Sequence, residues 1–242
     1  MTISVVSISA SEFVAVARQS FRLFLKHWWT WPLIMILSFA PAFIGAVLPF
    51  DPTLKKGFVL FGASLACIIA TSYAACHYKM ETLVKCVKEN GWPLLGVALF
   101  SLVSSLAIWK FIELPTLSFF ATADEMAVYS GDTASIHATA PRHWIDALHT
   151  FIFVLCASPF SMASALVVIR KLGVASAISA SVRCFAANWV IFLLLVLATT
   201  ILHAFIQEPT WFLLVQLSIY IFIFTPVLTI VNVVMADQMT RT

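Results

Sequence analysis

Histidines and carboxylates recur at helical spacing near the ends of two apolar segments. His143, Asp146 and His149 follow one another every three residues, and on a helix such residues drift by about 60° per step and share one broad sector. His203 lies near the end of a later apolar segment, with Glu208 just beyond it. Imidazoles together with carboxylates suit a zinc or copper ion. The sequence therefore contains one candidate for metal chemistry.

The alternative is that these side chains are polar residues at helix ends that bond to water and to one another. Six histidines in 242 residues are no excess, and the five cysteines form no Cys-x-x-Cys pair that would accompany them. We predict no resident metal or other cofactor. His149 and His203 are the residues to test first if a metal is found.

Serines recur at near-helical spacing in two further segments. The two sets are Ser101, Ser104, Ser105 and Ser158, Ser161, Ser164. Small residues of this kind mostly let membrane helices pack closely. We prefer that interpretation to a transport path.

No familiar catalytic signature occurs in the sequence. The GxSxG, HExxH, P-loop and GxGxxG patterns are all absent, and each of them carries a known chemistry. Glycine, which phosphate-binding loops need, occurs only seven times. The sequence therefore favours a non-enzymatic protein.

The elements that position these residues are predicted to be membrane-spanning helices. The chain is 62% hydrophobic and 10% charged, with a mean hydropathy of +1.00, whereas soluble domains are about a quarter charged. A span needs about 20 apolar residues, and six segments qualify. Most of them begin at or beside tryptophan, which favours the headgroup region. The predicted spans are residues 31–50, 57–78, 92–112, 144–169, 189–206 and 211–236.

These spans predict an all-α integral membrane protein with one membrane domain, residues 1–242, and one long outer loop, residues 113–143. The central parts of the spans hold no Lys, Arg, Asp or Glu. Proton-coupled transporters usually carry an acid there, so this absence counts against such a transporter.

Loop charges predict the orientation. With a cytoplasmic N-terminus, ten of the 14 Lys and Arg residues fall on the cytoplasmic side, as the positive-inside rule requires. An even number of spans then places the C-terminus in the cytoplasm too, and we expect a multi-pass protein of the cell inner membrane. The net charge of +3 gives no sign of nucleic-acid binding. The expected partners are the lipid bilayer and other membrane proteins.

A short pattern precedes two of the spans. Residues 20–28 and 181–189 both fit S-x-R-x-F-x-x-x-W, and residues 85–92 match more weakly. Helical projection places apolar and basic residues on opposite faces, which is typical of helices that lie flat at a membrane surface. We therefore predict three hairpins, each preceded by a cytoplasmic amphipathic helix. The residues predicted to contact lipid headgroups are Arg18, Arg22, Lys26, Lys85, Lys88, Arg170, Lys171 and Arg183.

An interfacial helix of this form, recurring in a chain with six spans, resembles a group of small bacterial membrane proteins. The group includes the YciC-like and DUF975-like families and the membrane domain attached to some glycerophosphodiester phosphodiesterases. The matching positions are Ser20, Arg22, Phe24, Ala177, Ser181, Arg183, Phe185 and Asn188. The resemblance implies a fold style and a bacterial inner membrane, and no reaction.

Three functions remain open on these grounds. The first is a non-enzymatic scaffold or accessory protein, or one that binds lipid. The second is a small-molecule transporter or exporter, which requires a polar path between the helices. The third is a metal-binding membrane protein with its site on the outer face.

Overall fold

The computed structural model describes residues 4–47, 52–78, 83–123, 125–126, 143–206 and 219–241. The helices in these ranges are α1 (Ala10–Lys26), α2 (Trp31–Val47), α3 (Pro52–Tyr78), α4 (Leu83–Ile108), α5 (Leu114–Leu117), α6 (His143–Ala157), α7 (Ala163–Arg170), α8 (Val174–Ala187), α9 (Trp189–Ile206) and α10 (Thr225–Met239). Shorter elements are π-helical turns at Trp109–Glu113 and Tyr220–Phe224, a 3₁₀ turn at Ser158–Phe160, and strands β1 (Ser4–Val5) and β2 (Thr240–Arg241).

Several helices are long and apolar enough to cross a membrane. Helices α8 and α9 pass the same test as one unit, but the chain bends by 92° between them. The described residues thus hold three candidate spans, or four if the bent pair is one span. The three are Lys88–Leu117, Trp144–Arg170 and Ile221–Met239.

Helices also cover the other predicted spans. α2 and α3 follow the first two predicted segments and pack along each other. α9 covers the fifth segment, and it packs mainly against α6. The first part of the sixth predicted span, residues 211–218, lies outside the described residues.

Helix α1 begins at a capping box. The Ser9 hydroxyl accepts the backbone N–H of Glu12, and the Glu12 carboxylate accepts the backbone N–H of Ser9, so two donors at the helix start are satisfied. Its buried side chains are Val16, Ser20 and Phe24. Phe21, Leu25 and Trp28 of the same apolar sector are exposed, and so are Arg18, Arg22 and Lys26 on the other side.

Helix α8 lies almost at right angles to α9. The face that α8 turns into the protein carries mostly small side chains, namely Ala177, Ala180, Ser181 and Cys184. Val182 and Trp189, which helical projection places on the apolar face of the predicted amphipathic helix, are exposed. Small residues allow the backbone of α8 to approach its neighbours closely.

The third predicted interfacial helix does not form a separate element. Residues 85–92 are the beginning of α4, which runs without a break from Leu83 to Ile108 with Pro93 inside it. Pro93 has no backbone N–H, so one hydrogen bond of the helix is missing. The helix nevertheless continues past it. The prediction of a distinct helix before each hairpin is therefore wrong at this position.

A two-stranded antiparallel sheet joins the two ends of the chain. Ser4 pairs with Arg241 and Val5 pairs with Thr240, and the backbone N–H of Val6 donates to the carbonyl of Met239 at 2.9 Å. Both ends therefore lie on the same side of the helices, against α10.

The core is deepest around α7 and the second half of α10. All side chains from Ala163 to Ile169 are buried, and so are Val233 to Ala236. Val16 and Phe24 of α1 belong to the same core. Helix α1 therefore packs against the helical bundle, mainly against α10.

Gly96 of α4 allows the start of α8 to approach. A Cβ built at this position would lie 2.6 Å from Cγ2 of Val174, which is closer than packed atoms tolerate. We expect Gly96→Ala to lower the free energy of unfolding by roughly 1–2 kcal/mol. Thermal and denaturant unfolding in detergent would measure this loss.

Gly91 of the same helix supplies the matched control. No atom lies within 4 Å of a Cβ built at Gly91, so Gly91→Ala is expected to be neutral, or stabilising by about 0.5 kcal/mol through helix propensity. The double variant Gly96→Ala with Val174→Ala should recover much of the loss. Equal effects of the two glycine substitutions would contradict the proposed contact.

Candidate functional site

A cavity of about 250 Å³ lies within the helical bundle. Five of the candidate or predicted spans contribute to its wall: α4, the α6–α7 segment, α9, α10, and α3 through Ile68. Most lining side chains are apolar, but hydroxyls and one amide are set among them. The polar side chains of the lining are Ser101, Ser104, Ser105, Ser158, Ser161, Ser164, Thr199 and Asn232.

Both serine sets that the sequence analysis assigned to helix packing line this cavity. The spacing of each set places its serines on one side of a helix. In the fold both of these sides line the same cavity. Ser104 and Ser105 come from α4, and Ser164 comes from α7. These small residues therefore do more than allow close helix packing, because their short side chains also leave room for the cavity.

The fourth predicted span changes from α-helix to a 3₁₀ turn where it meets the cavity. α6 ends at Ala157, a 3₁₀ turn covers Ser158–Phe160, and α7 begins at Ala163. A 3₁₀ stretch inside a longer helix often marks a functional hinge or a segment under strain.

Helix α8 contacts this turn through Ser181. Its hydroxyl donates to the carbonyl of Pro159 at 2.7 Å and accepts the backbone N–H of Met162 at 3.2 Å. These are backbone groups that a continuous helix would satisfy internally. The serine of the S-x-R-x-F pattern thus has a structural role that the sequence did not reveal.

Asn188, at the end of α8, holds the N-terminal segment. Its Oδ1 accepts the backbone N–H of Ile8 at 2.8 Å. Its Nδ2 lies 3.3 Å from the carbonyl of Val6 and 3.1 Å from that of Cys184, and donates to both.

Burial raises the pKa of the Cys184 thiol to about 11, so at neutral pH this thiol is protonated and is no nucleophile.

Several polar side chains line the cavity from three helices. They are Ser104 and Ser105 of α4, Ser164 of α7 and Asn232 of α10. The Thr199 hydroxyl, also in the lining, donates to the carbonyl of Leu195 at 2.8 Å. The wall therefore offers donors and acceptors to a molecule in the cavity.

An acid–base pair lies near the predicted outer end of the same helices. Glu113 ends the π-helical turn after α4, and its side chain is 1% exposed. Its Oε1 contacts Nε2 of His149, which is 27% exposed. Among the described residues no hydrogen bond reaches either Glu113 oxygen. His203 interacts electrostatically with His149 and with Asp146.

These contacts bear on the metal candidate. His149 and His203 are brought near each other, but the described residues contain no group of three His, Cys, Asp or Glu side chains that could hold a metal ion. The side chain of His143 and the whole of Glu208 lie outside the described residues. His149 contacts Glu113, a residue that was not among the predicted metal ligands.

The basic residues predicted to contact headgroups are placed in two ways. Arg170 donates to the Asp237 carbonyl at 2.8 Å and to the Thr240 hydroxyl at 3.0 Å, and Lys171 donates to Glu89 at 2.9 Å, so both have partners within the protein. The remaining six are exposed. They are Arg18, Arg22, Lys26, Lys85, Lys88 and Arg183.

Comparison with known proteins adds no relative to this description. The chain matches none of the protein-family models, none of the curated proteins and none of the solved structures with which it was compared.

Proposed function

We propose that this chain is a non-enzymatic multi-pass protein of a bacterial inner membrane that binds a small, uncharged, lipid-like molecule in its internal cavity. The observation that carries the proposal is the cavity wall itself. It combines mostly apolar side chains with the hydroxyls of Ser104, Ser105 and Ser164 and the amide of Asn232.

The chemistry of the wall limits the ligand. The described residues that line the cavity include no Lys, Arg, Asp or Glu, so a charged ligand would lose its hydration without gaining a counter-charge from them. Ligand sites usually have volumes of about 300 Å³ or more, which makes 250 Å³ a site for a small molecule or a short chain. An alkyl chain with one hydroxyl, carbonyl or amide group fits these conditions.

The proposed topology has six spans, with both termini in the cytoplasm. Two observations support it. The right angle between α8 and α9 is what a surface helix followed by a span would give, and Trp189 at the bend is exposed, as suits an indole among headgroups. Contacts between α2 and α3, and between α4 and the α6–α7 segment, support the first two predicted hairpins.

Transport of the same ligand is the second candidate. The specific observation in its favour is the 3₁₀ turn Ser158–Phe160 between α6 and α7, which lies in the cavity wall. Such a turn within a longer helix often marks a functional hinge. Binding is common to both candidates and is therefore tested first.

Photolabelling in lipid nanodiscs tests the binding site. The probe is a photoreactive diazirine derivative of octanol, and labelled residues are located by mass spectrometry. We expect labels on cavity-lining residues of α4 and α10, and competition by unlabelled octanol. In Ser104→Phe, a benzyl group occupies the cavity and these labels should fall by about tenfold, equivalent to about 1.4 kcal/mol.

Val103→Phe is the matched control. Val103 precedes Ser104 on α4 but is 65% exposed on the outside of the bundle, so the same side chain there leaves the cavity open. Cavity labelling should remain at the wild-type level. Labels confined to lipid-facing residues, or equal losses in both variants, would remove the proposal.

A further inference from the structure

An apolar groove of about 340 Å³, the α1–α9 groove, lies beside the bend between α8 and α9. The start of α1 contributes Ala10 and Phe13 to its lining, and α9 contributes Trp189 and Leu194. Its volume is within the range of about 300–1,000 Å³ that ligand sites have. Trp189 and Leu194 are 57% and 56% exposed, so the groove is open along the side of α9. In a membrane, that side faces lipid.

Exposed apolar side chains continue from this groove along α1. Val14, Phe21 and Leu25 are between 49% and 56% exposed, and with Ala10 they fall within about 60° of one another around the helix. This apolar stripe lies about 110° from the buried face of α1, so it belongs to the surface and not to the core. A helix with such a side lies in the plane of the membrane surface. It thereby places the groove where lipid headgroups meet acyl chains.

A basic stripe runs beside the apolar stripe on the same helix. Arg18, Arg22 and Lys26 recur every four residues, are exposed, and lie about 90° around α1 from the apolar stripe. The single acidic residue of α1, Glu12, lies on the far side of the helix from the apolar stripe, and its carboxylate accepts hydrogen bonds from Ser9 at the helix start. The guanidinium group binds phosphate through two parallel hydrogen bonds. The stripe therefore offers a binding surface for a phosphate group.

We propose that the α1–α9 groove and the two stripes of α1 form a binding site for one phospholipid with an anionic headgroup. An acyl chain lies in the groove along α9, and the phosphate lies over the basic stripe. Arg18 comes five residues after Phe13 of the groove, roughly 8 Å along the helix axis. Charge selects the ligand, because each basic residue near an anionic headgroup adds to the attraction. The site is separate from the internal cavity and does not depend on what the cavity binds.

Native mass spectrometry of the full chain in a mild detergent tests this selectivity. The probes are palmitoyl-oleoyl phosphatidylglycerol and palmitoyl-oleoyl phosphatidylcholine, which have the same acyl chains but differ in net charge. We expect the wild type to bind the first phosphatidylglycerol molecule about tenfold more tightly than phosphatidylcholine, which is within what three basic residues supply. Equal binding of the two lipids overturns the proposal.

Removal of the basic stripe tests the role of charge. The triple variant Arg18→Gln, Arg22→Gln, Lys26→Gln should bind phosphatidylglycerol about as weakly as phosphatidylcholine. A preference for phosphatidylglycerol that survives in this variant contradicts the site.

A second triple variant is the matched control. It removes three positive charges from exposed residues outside α1, and it should retain the preference of the wild type. Equal losses in the two triple variants would show only a general attraction to positive charge and would overturn the site. The substitutions of this control are Lys85→Gln, Lys88→Gln and Arg183→Gln.

Filling the groove tests the place of the acyl chain. Ala187 lines the groove and is exposed, so the indole of Ala187→Trp occupies the groove without entering the core. Binding of phosphatidylglycerol should fall by about tenfold, equivalent to about 1.4 kcal/mol. The neighbouring Ala186 is also exposed but does not line the groove, so Ala186→Trp should bind as the wild type does. No loss in Ala187→Trp, or equal losses in both variants, overturns the groove as the site.

The cavity variant separates this proposal from the proposed function. Ser104→Phe fills the internal cavity and should leave the binding of phosphatidylglycerol unchanged. Loss of phosphatidylglycerol binding in Ser104→Phe, with retention in Ala187→Trp, would place the phospholipid in the cavity and overturn the proposed site on α1.

Discussion

Replacing Asn188 with alanine is expected to lower the free energy of unfolding by about 3 kcal/mol. The substitution removes hydrogen bonds to the backbones of Ile8, Val6 and Cys184. Asn188 is 4% exposed, so water does not replace the missing partners, and each unsatisfied group costs about 1–3 kcal/mol. Part of that cost is relieved when the N-terminal segment moves away from α8.

Unfolding in detergent measures the loss, and hydrogen exchange locates it. The amide protons of Val6 and Ile8 should exchange much faster in Asn188→Ala than in the wild type. Asn90→Ala is the matched control: Asn90 is equally buried, but its amide donates within its own helix, to the Cys86 carbonyl at 2.9 Å. It should cost about 1 kcal/mol and leave exchange in the N-terminal segment unchanged. Similar effects of the two substitutions would contradict the role of Asn188 as a link between α8 and the N-terminus.

Replacing Arg170 with methionine is expected to lower the free energy of unfolding by about 2 kcal/mol. Arg170 ends α7, and its guanidinium lies 3.1 Å from the carboxylate of Asp237 and also donates to the Thr240 hydroxyl. Breaking a fully buried pair costs about 3–5 kcal/mol. The smaller figure applies because the two side chains are 16% and 25% exposed, and because the Tyr78 hydroxyl continues to donate to Asp237 at 2.9 Å.

Arg183→Met is the control for removal of a positive charge. Arg183 is exposed on α8, so its loss should change the unfolding free energy by less than about 0.5 kcal/mol. Cleavage by a protease near the C-terminus should increase in Arg170→Met alone, because Arg170 binds both α10 and β2. An unchanged stability in Arg170→Met would show that the guanidinium contacts are energetically neutral.

The local structure of several segments could be predicted from the sequence alone. Periodicity is a property of neighbouring residues, and it predicted helices at residues 20–28 and 181–189, where α1 and α8 lie although both begin earlier in the chain. Hydrophobic runs likewise placed helices over the predicted spans in the described residues. Where the pattern was weakest, at residues 85–92, the helix merged with the following span.

The 3₁₀ turn at Ser158–Phe160 could not be predicted in the same way. The hydroxyl of Ser181, from another helix, donates to the carbonyl of Pro159 within this turn. That partner is 22 residues away along the chain. Local propensity cannot predict such a contact, because it depends on how α8 packs against the α6–α7 segment.

For this protein the sequence by itself determined the apolar segments, the basic faces of α1 and α8, and the lack of charge in the centre of the spans. Composition and spacing suffice for these features because each one is local. The tertiary structure decided what the serines and histidines do. Whether Ser104 and Ser164 close a helix contact or line a cavity depends on how far apart α4 and α7 lie. Whether Glu113 meets His149 depends on one π-helical turn, since a shift of one residue rotates a side chain by about 100° around the helix.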